Sequence, residues 1–294
     1  MSYRWLDRNL KWVFTLPSVI FVVLMMAFPI FYTIWISFHE WSMSSVVAPK
    51  WVGGENYATL FKDARFWNSV EVTVVFTLST VVLQTVLGVA VALLFFRKIR
   101  GKSIARTLML LPMVATPVAM GLVWQLIYEP TIGSANELLK MFGLKPMDWL
   151  ASPSQAMMSL VIIDVWEWTP MIALIVMAGL ATLPSEPYEA ADVDGANGFQ
   201  KFRYITLPLL IPTILAAGLL RLIDSLKTFD IIYATTQGGP NYASETLNLY
   251  GYVLGFQYFK LGLASALIVV FFLIVFSLIL AVLGIRKRME GLHR

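Results

Sequence analysis

Six stretches of this 294-residue chain are each long and apolar enough to cross a lipid bilayer as a helix. A hydrocarbon core needs about 20 mostly apolar residues in helical form. The stretches 13–38, 70–96, 104–128, 156–183, 205–234 and 263–285 all reach that length. Lipid offers no partner to an unpaired backbone amide, so an open segment in it must be helical. The runs are too long and too evenly apolar for barrel strands. Charged residues make up 14% of the chain, against about 25% in soluble domains. The expected fold class is therefore an all-α polytopic membrane protein with six transmembrane helices. Its membrane domain would cover 13–285, with tails at 1–12 and 286–294. The first stretch is about twice as long as the apolar part of a secretory signal, so it is expected to stay as a span.

Lys and Arg placement near the span ends sets an expected orientation. One side collects Arg4, Arg8, Lys11, Arg97, Lys98, Arg100, Lys102, Arg106, Lys201, Arg203, Arg286, Lys287, Arg288 and Arg294. The other holds Lys50, Lys62, Arg65, Lys140, Lys145, Lys227 and Lys260. Fourteen against seven puts both termini in the cytoplasm, and an even number of spans agrees. The net charge of +4 lies beside apolar runs rather than in a patch, which fits membrane lipid and not nucleic acid. Trp41, Trp51, Trp67, Trp149 and Tyr128 fall in or near the outward loops 39–69, 129–155 and 235–262, where interfacial aromatics belong. The stretch 245–259 is expected to form a short amphipathic helix on the outer face.

The segment between the fourth and fifth spans, 184–204, reads as a cytoplasmic elbow. Pro184 and Pro187 should stop the fourth helix, Tyr188–Asp192 favours a short helix, and Gly195 and Gly198 allow a sharp turn. Residues 199–205 then lead into the fifth span through Pro208. The expected shape is two short helices at an angle, a knob able to enter a groove on a partner.

The residues Glu189-Ala190-Ala191, Asp194-Gly195-Ala196, Phe202, Ile205, Leu207 and Pro208 resemble the EAA loop of binding-protein-dependent ABC import permeases. The DGA and ITLP forms are similar to the carbohydrate-uptake group, with its maltose-type and glycerol-phosphate-type permeases. A second similarity covers Phe229-Asp230, Thr236-Gln237-Gly238-Gly239-Pro240, Thr246 and Gly262-x-Ala264-Ser265-Ala266. The resemblance implies the type I ABC importer permease fold, with 184–204 as the coupling loop. It also implies a second homologous permease, two copies of a cytoplasmic ATPase and an extracytoplasmic solute-binding protein in a bacterial cytoplasmic membrane. Carried onto this chain, Glu189 would pair with a basic group on the ATPase, Ala190 and Ala191 would permit close approach, and Gly195 would supply the turn. Asp194, Ala196, Phe202 and Pro208 complete the docking set. ATP and Mg would sit on that partner, with no cofactor on this chain.

The chain shows no motor or catalytic centre of its own. Gly101-Lys102-Ser103 resembles the tail of a phosphate-binding loop, but the first required glycine falls at Phe96. Asp192-x-Asp194-Gly195 resembles the start of a calcium loop, yet the bidentate acid would be Lys201. Cys is absent, and His39 and His293 are the two histidines. An enzyme is not expected. An ion-coupled secondary transporter would show paired halves with matching broken helices, which the sequence lacks. Within the importer class, glycerol 3-phosphate or a polyol stands as an alternative to a sugar.

Ionisable residues inside a bilayer face a bundle interior and mark pathways or ion networks. Asp164 and Glu167 lie in the fourth stretch beside Trp166 and Trp168; Arg221, Asp224, Lys227 and Asp230 follow at threes in the fifth. On a continuous helix this row winds around about half the circumference, so it should not line one cavity. Counting about 1.5 Å per residue, Glu167 and Arg221 share a depth. Asp164, Trp166, Glu167, Trp168, Arg221, Asp224 and Tyr233 are the candidate lining of a translocation path. The rival reading is a structural ion network between the fourth and fifth spans.

Overall fold

The computed structural model describes residues 2–44, 46–96 and 101–292. Arg97, Lys98, Arg100, His293 and Arg294 lie outside the described residues. In chain order the helices are α1 (Ser2–Ser37), α2 (Glu55–Lys62), α3 (Ala64–Phe96), α4 (Lys102–Val114), α5 (Pro117–Ile127), α6 (Ser134–Met141) and α7 (Pro153–Ala181). They continue with α8 (Glu186–Val193), α9 (Gly198–Lys201), α10 (Leu207–Leu226), α11 (Asp230–Thr235), α12 (Leu247–Tyr252) and α13 (Leu261–Leu292). Two short strands, β1 (His39–Glu40) and β2 (Lys50–Trp51), pair antiparallel with His39 opposite Trp51. Among the described residues, five helices carry spans long and apolar enough to cross a membrane alone, and α4 with α5 makes a sixth when taken as one bent crossing.

The chain forms two compact units. Residues 1–64 and 251–273 make the first, which holds α1, the strand pair and α2. Along α1 large apolar side chains such as Phe14, Phe21, Phe28 and Phe31 face outward, the pattern of a helix solvated by lipid rather than water. The His39 ring packs at a tilt against Trp35 and meets Trp51 edge-on, with ring centroids 4.0 and 5.1 Å apart, while its Nδ1 lies 2.7 Å from the Trp35 carbonyl.

Residues 65–250 and 274–294 make the second unit, and α7 is its core helix. In the most apolar window of α7, 61% is buried, against 22% or less in the other four long spans. Ile172, Ala173, Val176, Met177 and Leu180 of α7 cluster with Ala92 of α3 and with Leu210 and Ala217 of α10. Gly88 is what lets α3 reach α7, since a Cβ there would sit 2.7 Å from Cγ2 of Ile172. In lipid, where apolar burial does not drive helices together, such close van der Waals packing does.

Two expected straight spans are interrupted. The stretch 104–128 is α4 and α5, bent by 99°. Pro117 pushes the residue before it out of helical conformation; Ala115 and Thr116 are extended, and Pro117 then opens α5. The stretch 205–234 begins with a wide turn, Phe202–Thr206, continues as α10 and stops at Leu226. The N–H groups of Lys227 and Thr228 close three-residue turns onto Asp224 and Ser225, each 3.1 Å, and Phe229 leaves the helical region before α11 starts. The short α11 lies against α5, with Gln125 Nε2 donating to the Thr235 carbonyl at 2.7 Å.

The stretch 245–259 is not an amphipathic surface helix. Within the second unit Glu245, Leu247, Leu249 and Tyr250 are buried, and the Leu247 N–H donates to Thr73 Oγ1 at 2.9 Å. Within the first unit Val253 and Leu254 are buried as well. Arg65 holds Glu245 in a two-pronged ion pair, both contacts 2.7 Å, with Tyr242 and Tyr250 over its guanidinium.

Candidate functional site

All of the candidate site residues lie in the second unit. Along α7, Asp164, Glu167 and Trp168 are three and four residues apart, so they share one helix face. That face meets α10 at Arg221. The Arg221 Nη2 donates to Asp164 Oδ2 at 2.5 Å, and its Nε donates to Gln84 Oε1 at 2.7 Å. Gln84 Nε2 in turn donates to Asp164 Oδ2 and to the Asp164 carbonyl, both at 2.8 Å. The Trp168 ring covers the guanidinium, 5.2 Å from its centroid. Three helices are thus tied by one buried network in which each charge has a partner, the condition for tolerating ions away from water.

Above this network lies a cavity of about 320 Å³. Asp164, Glu167 and Arg221, each 1% exposed, form its floor, while Asp224, Lys227 and Asp230 are exposed at its rim. Lys227 Nζ is 3.3 Å from Asp224 Oδ1. Glu167 is different: its Oε1 is buried without a hydrogen-bond partner among the described residues. The four ionisable residues spaced at threes do line one cavity, contrary to the continuous-helix expectation. Because α10 ends at Leu226, Lys227 and Asp230 turn back over the site instead of winding away.

Two of the expected lining residues stand elsewhere. Trp166, two residues from both Asp164 and Trp168, faces away; it packs edge-on against Trp124 at 5.5 Å and lines a separate apolar groove with Leu87, Leu108 and Val165. Tyr233 is not part of the cavity wall and stacks on Phe229 at 5.2 Å. Gln84 was missed by sequence reading. Its signal was there: a lone amide in an apolar helix needs a polar partner across the bundle.

The elbow is built as two short helices. Pro187 does not stop α7, which ends at Ala181; it sits in the first turn of α8, where its missing N–H is harmless. Gly195 turns the chain with φ +72. Gly198 instead opens α9 after a capping box, in which Asn197 and Gln200 bond each other's backbone N–H groups. Lys201 pairs with Asp192 across the turn, and Tyr188 Oη donates to Thr206 Oγ1 at 2.9 Å. Glu189, Ala190, Asp194 and Pro208 are exposed, whereas Ala191, Ala196 and Phe202 are half-buried. Val193, Phe199 and Tyr204 point outward, 88%, 74% and 74% exposed.

A family model described as binding-protein-dependent transport system inner membrane component matches residues 84–290. The trehalose/maltose transport system permease protein MalF of Thermococcus litoralis is 35% identical over 290 residues, covering 98% of this chain and 96% of the relative. The sulfoquinovosyl glycerol transport system permease protein SmoG of Agrobacterium fabrum is 35% identical, covering 92% and 88%. The trehalose transport system permease protein SugA of Mycobacterium tuberculosis is 33% identical, covering 92% and 86%. Among solved structures, a bacterial ABC transporter that imports the acidic polysaccharide alginate superposes with a TM-score of 0.85 at 20% identity, covering 97% of this chain and 98% of that one. At that identity the likeness shows the fold alone.

Proposed function

This chain belongs to the family of binding-protein-dependent transport system inner membrane components, and on that premise we propose that it is the permease subunit of an ATP-driven importer for a sugar or sugar-like solute. The relatives support the solute class, being named for trehalose, maltose and a sulfoquinovosyl glycerol. The importer would comprise this chain, a second homologous permease, two copies of a cytoplasmic ATPase that binds ATP and Mg, and an extracytoplasmic binding protein that delivers the solute. The Lys and Arg asymmetry supports cytoplasmic termini, with the elbow on the cytoplasmic side and the rim of the cavity toward the outside.

The observation that carries this reading is the elbow. It projects a carboxylate at Glu189 and three outward apolar or aromatic side chains, Val193, Phe199 and Tyr204, from a rigidly capped turn. Exposed apolar side chains of that kind mark a protein or membrane contact, and the Glu189 carboxylate beside them favours a protein. Glu189 pairs with a basic group on the ATPase, and the small Ala190 and Ala191 let the two surfaces close. Gly195 keeps the bend, with Asp194, Ala196, Phe202 and Pro208 shaping the surface around it. Closure of the ATPase pair then moves α7 and α10, which carry the cavity. Asp164, Glu167, Trp168, Arg221 and Asp224 line the solute's route, where carboxylates accept from hydroxyls and the indole meets the apolar face of a sugar ring.

The test is reconstitution with a panel of radiolabelled sugars. The complete importer accumulates solute with ATP, and Glu189→Lys loses both the bound ATPase and accumulation. Uphill pumping by this chain alone in vesicles sinks the proposal.

A further inference from the structure

Resting on the cavity as the solute's route, we infer that this route selects against negative charge: it admits uncharged, hydroxyl-bearing solutes and turns away phosphorylated or carboxylated ones. The reason lies in which charges are already matched. Arg221 is neutralised by Asp164 at 2.5 Å, with its Nε taken by Gln84 and its face covered by Trp168. Lys227 is matched by Asp224 at 3.3 Å. Glu167 and Asp230 remain, and neither forms an ion pair with a basic residue among the described residues. Four acidic side chains therefore face the cavity against two basic ones, and at the rim the Asp230 carboxylate is the unmatched charge.

The floor sharpens the choice. Glu167 is 1% exposed and its Oε1 has no donor. A buried acceptor in that state is unfavourable until a donor arrives. A sugar hydroxyl supplies one. A phosphate or carboxylate oxygen would bring acceptor against acceptor at Oε1 and would meet the unmatched Asp230 carboxylate at the rim. The cavity, of about 320 Å³, stands at the low end of ligand sites, which begin near about 300 Å³.

Quenching of Trp168 fluorescence measures this selectivity without transport. The assembled importer is placed in nanodiscs, and the Trp168 signal is taken as the difference between wild type and Trp168→Phe. Acrylamide (neutral) and caesium (cationic) should quench it, with the iodide constant lower than that of acrylamide by about tenfold, the low end of what charged clefts do to local ion concentration. Glu167→Gln combined with Asp230→Asn should raise the iodide constant toward the acrylamide value. Equal quenching by iodide and acrylamide in wild type, no quenching by any of the three, or an unchanged iodide constant in the double variant overturns the inference. The route itself is tested separately on the same preparation in proteoliposomes. Uptake unaffected by Trp168→Ala removes the route and leaves the ion selectivity standing.

Discussion

The carboxylate of Asp164 and the guanidinium of Arg221 meet at 2.5 Å between α7 and α10, each side chain 2% exposed. Removing one partner strands the other away from water. Arg221→Met is expected to destabilise the folded subunit by about 3–5 kcal/mol, and Asp164→Leu added to it to recover most of that loss. Thermal unfolding of the purified importer measures both. The double variant should regain stability without regaining uptake; if the single variant melts like wild type, the network does not hold the helices.

The approach of α3 to α7 depends on Gly88, where a Cβ would fall 2.7 Å from Ile172 Cγ2 and 3.2 Å from the Ala173 nitrogen. Backbone on one side leaves no room to relax. Gly88→Ala should lower stability by about 1–3 kcal/mol, as overpacking does. A second change, Ile172→Ala, should recover part of it. An unchanged melting curve for Gly88→Ala would show that the two helices are not in contact there.

Gly195 tests backbone conformation alone, because its φ is +72 and nothing lies within 4 Å of an added Cβ. L residues other than Asn and Asp avoid that region at roughly 1–2 kcal/mol. Retention of the ATPase and ATP-driven uptake should rank Gly above Asn, Asn above Ala, and Ala above Val. Val performing as well as Asn would remove the turn from the mechanism.

Glu129 follows α5 and closes the turn toward α6. Its Oε2 accepts from the Ile132 N–H at 2.6 Å, the Thr131 hydroxyl at 2.7 Å and the Thr131 N–H at 2.8 Å. These donors, the Ile132 amide foremost, hold the carboxyl below its ordinary value. A group lowered by folding stabilises the turn above the ordinary carboxylate pKa and loses that effect as pH falls through the lowered one. Hydrogen-exchange protection at Thr131 and Ile132 should therefore be steady near neutrality and fall in acid. Glu129→Gln should show weak protection that no longer varies with pH.

The helical membrane class was legible because apolar length is a one-dimensional property. The elbow was legible because Pro, Gly and short polar residues act within a few positions of themselves. The end of α10 was not. Leu226, Lys227, Thr228 and Phe229 contain neither Gly nor Pro, and the break is held by the packing of α11 on α5. That hidden break scattered the expectations for the charged row and for Tyr233. Trp166 was assigned to the route by residue type, although two positions from Trp168 is the wrong helical interval for a shared face. Gln84 is legible in the sequence as an amide in an apolar stretch that needs a partner, but which partner it takes shows only once Asp164 and Arg221 are side by side.

Val193, Phe199 and Tyr204 stand outward on the elbow, largely exposed, with the Arg203 guanidinium 5.8 Å from the Tyr204 ring centroid. Copies of this subunit synthesised in excess would carry an adhesive spot in water, prone to clumping or to clearance by quality-control proteases. Gene dosage and translation would then have to keep this chain in step with whichever protein caps the spot, making stoichiometry of synthesis part of its biology.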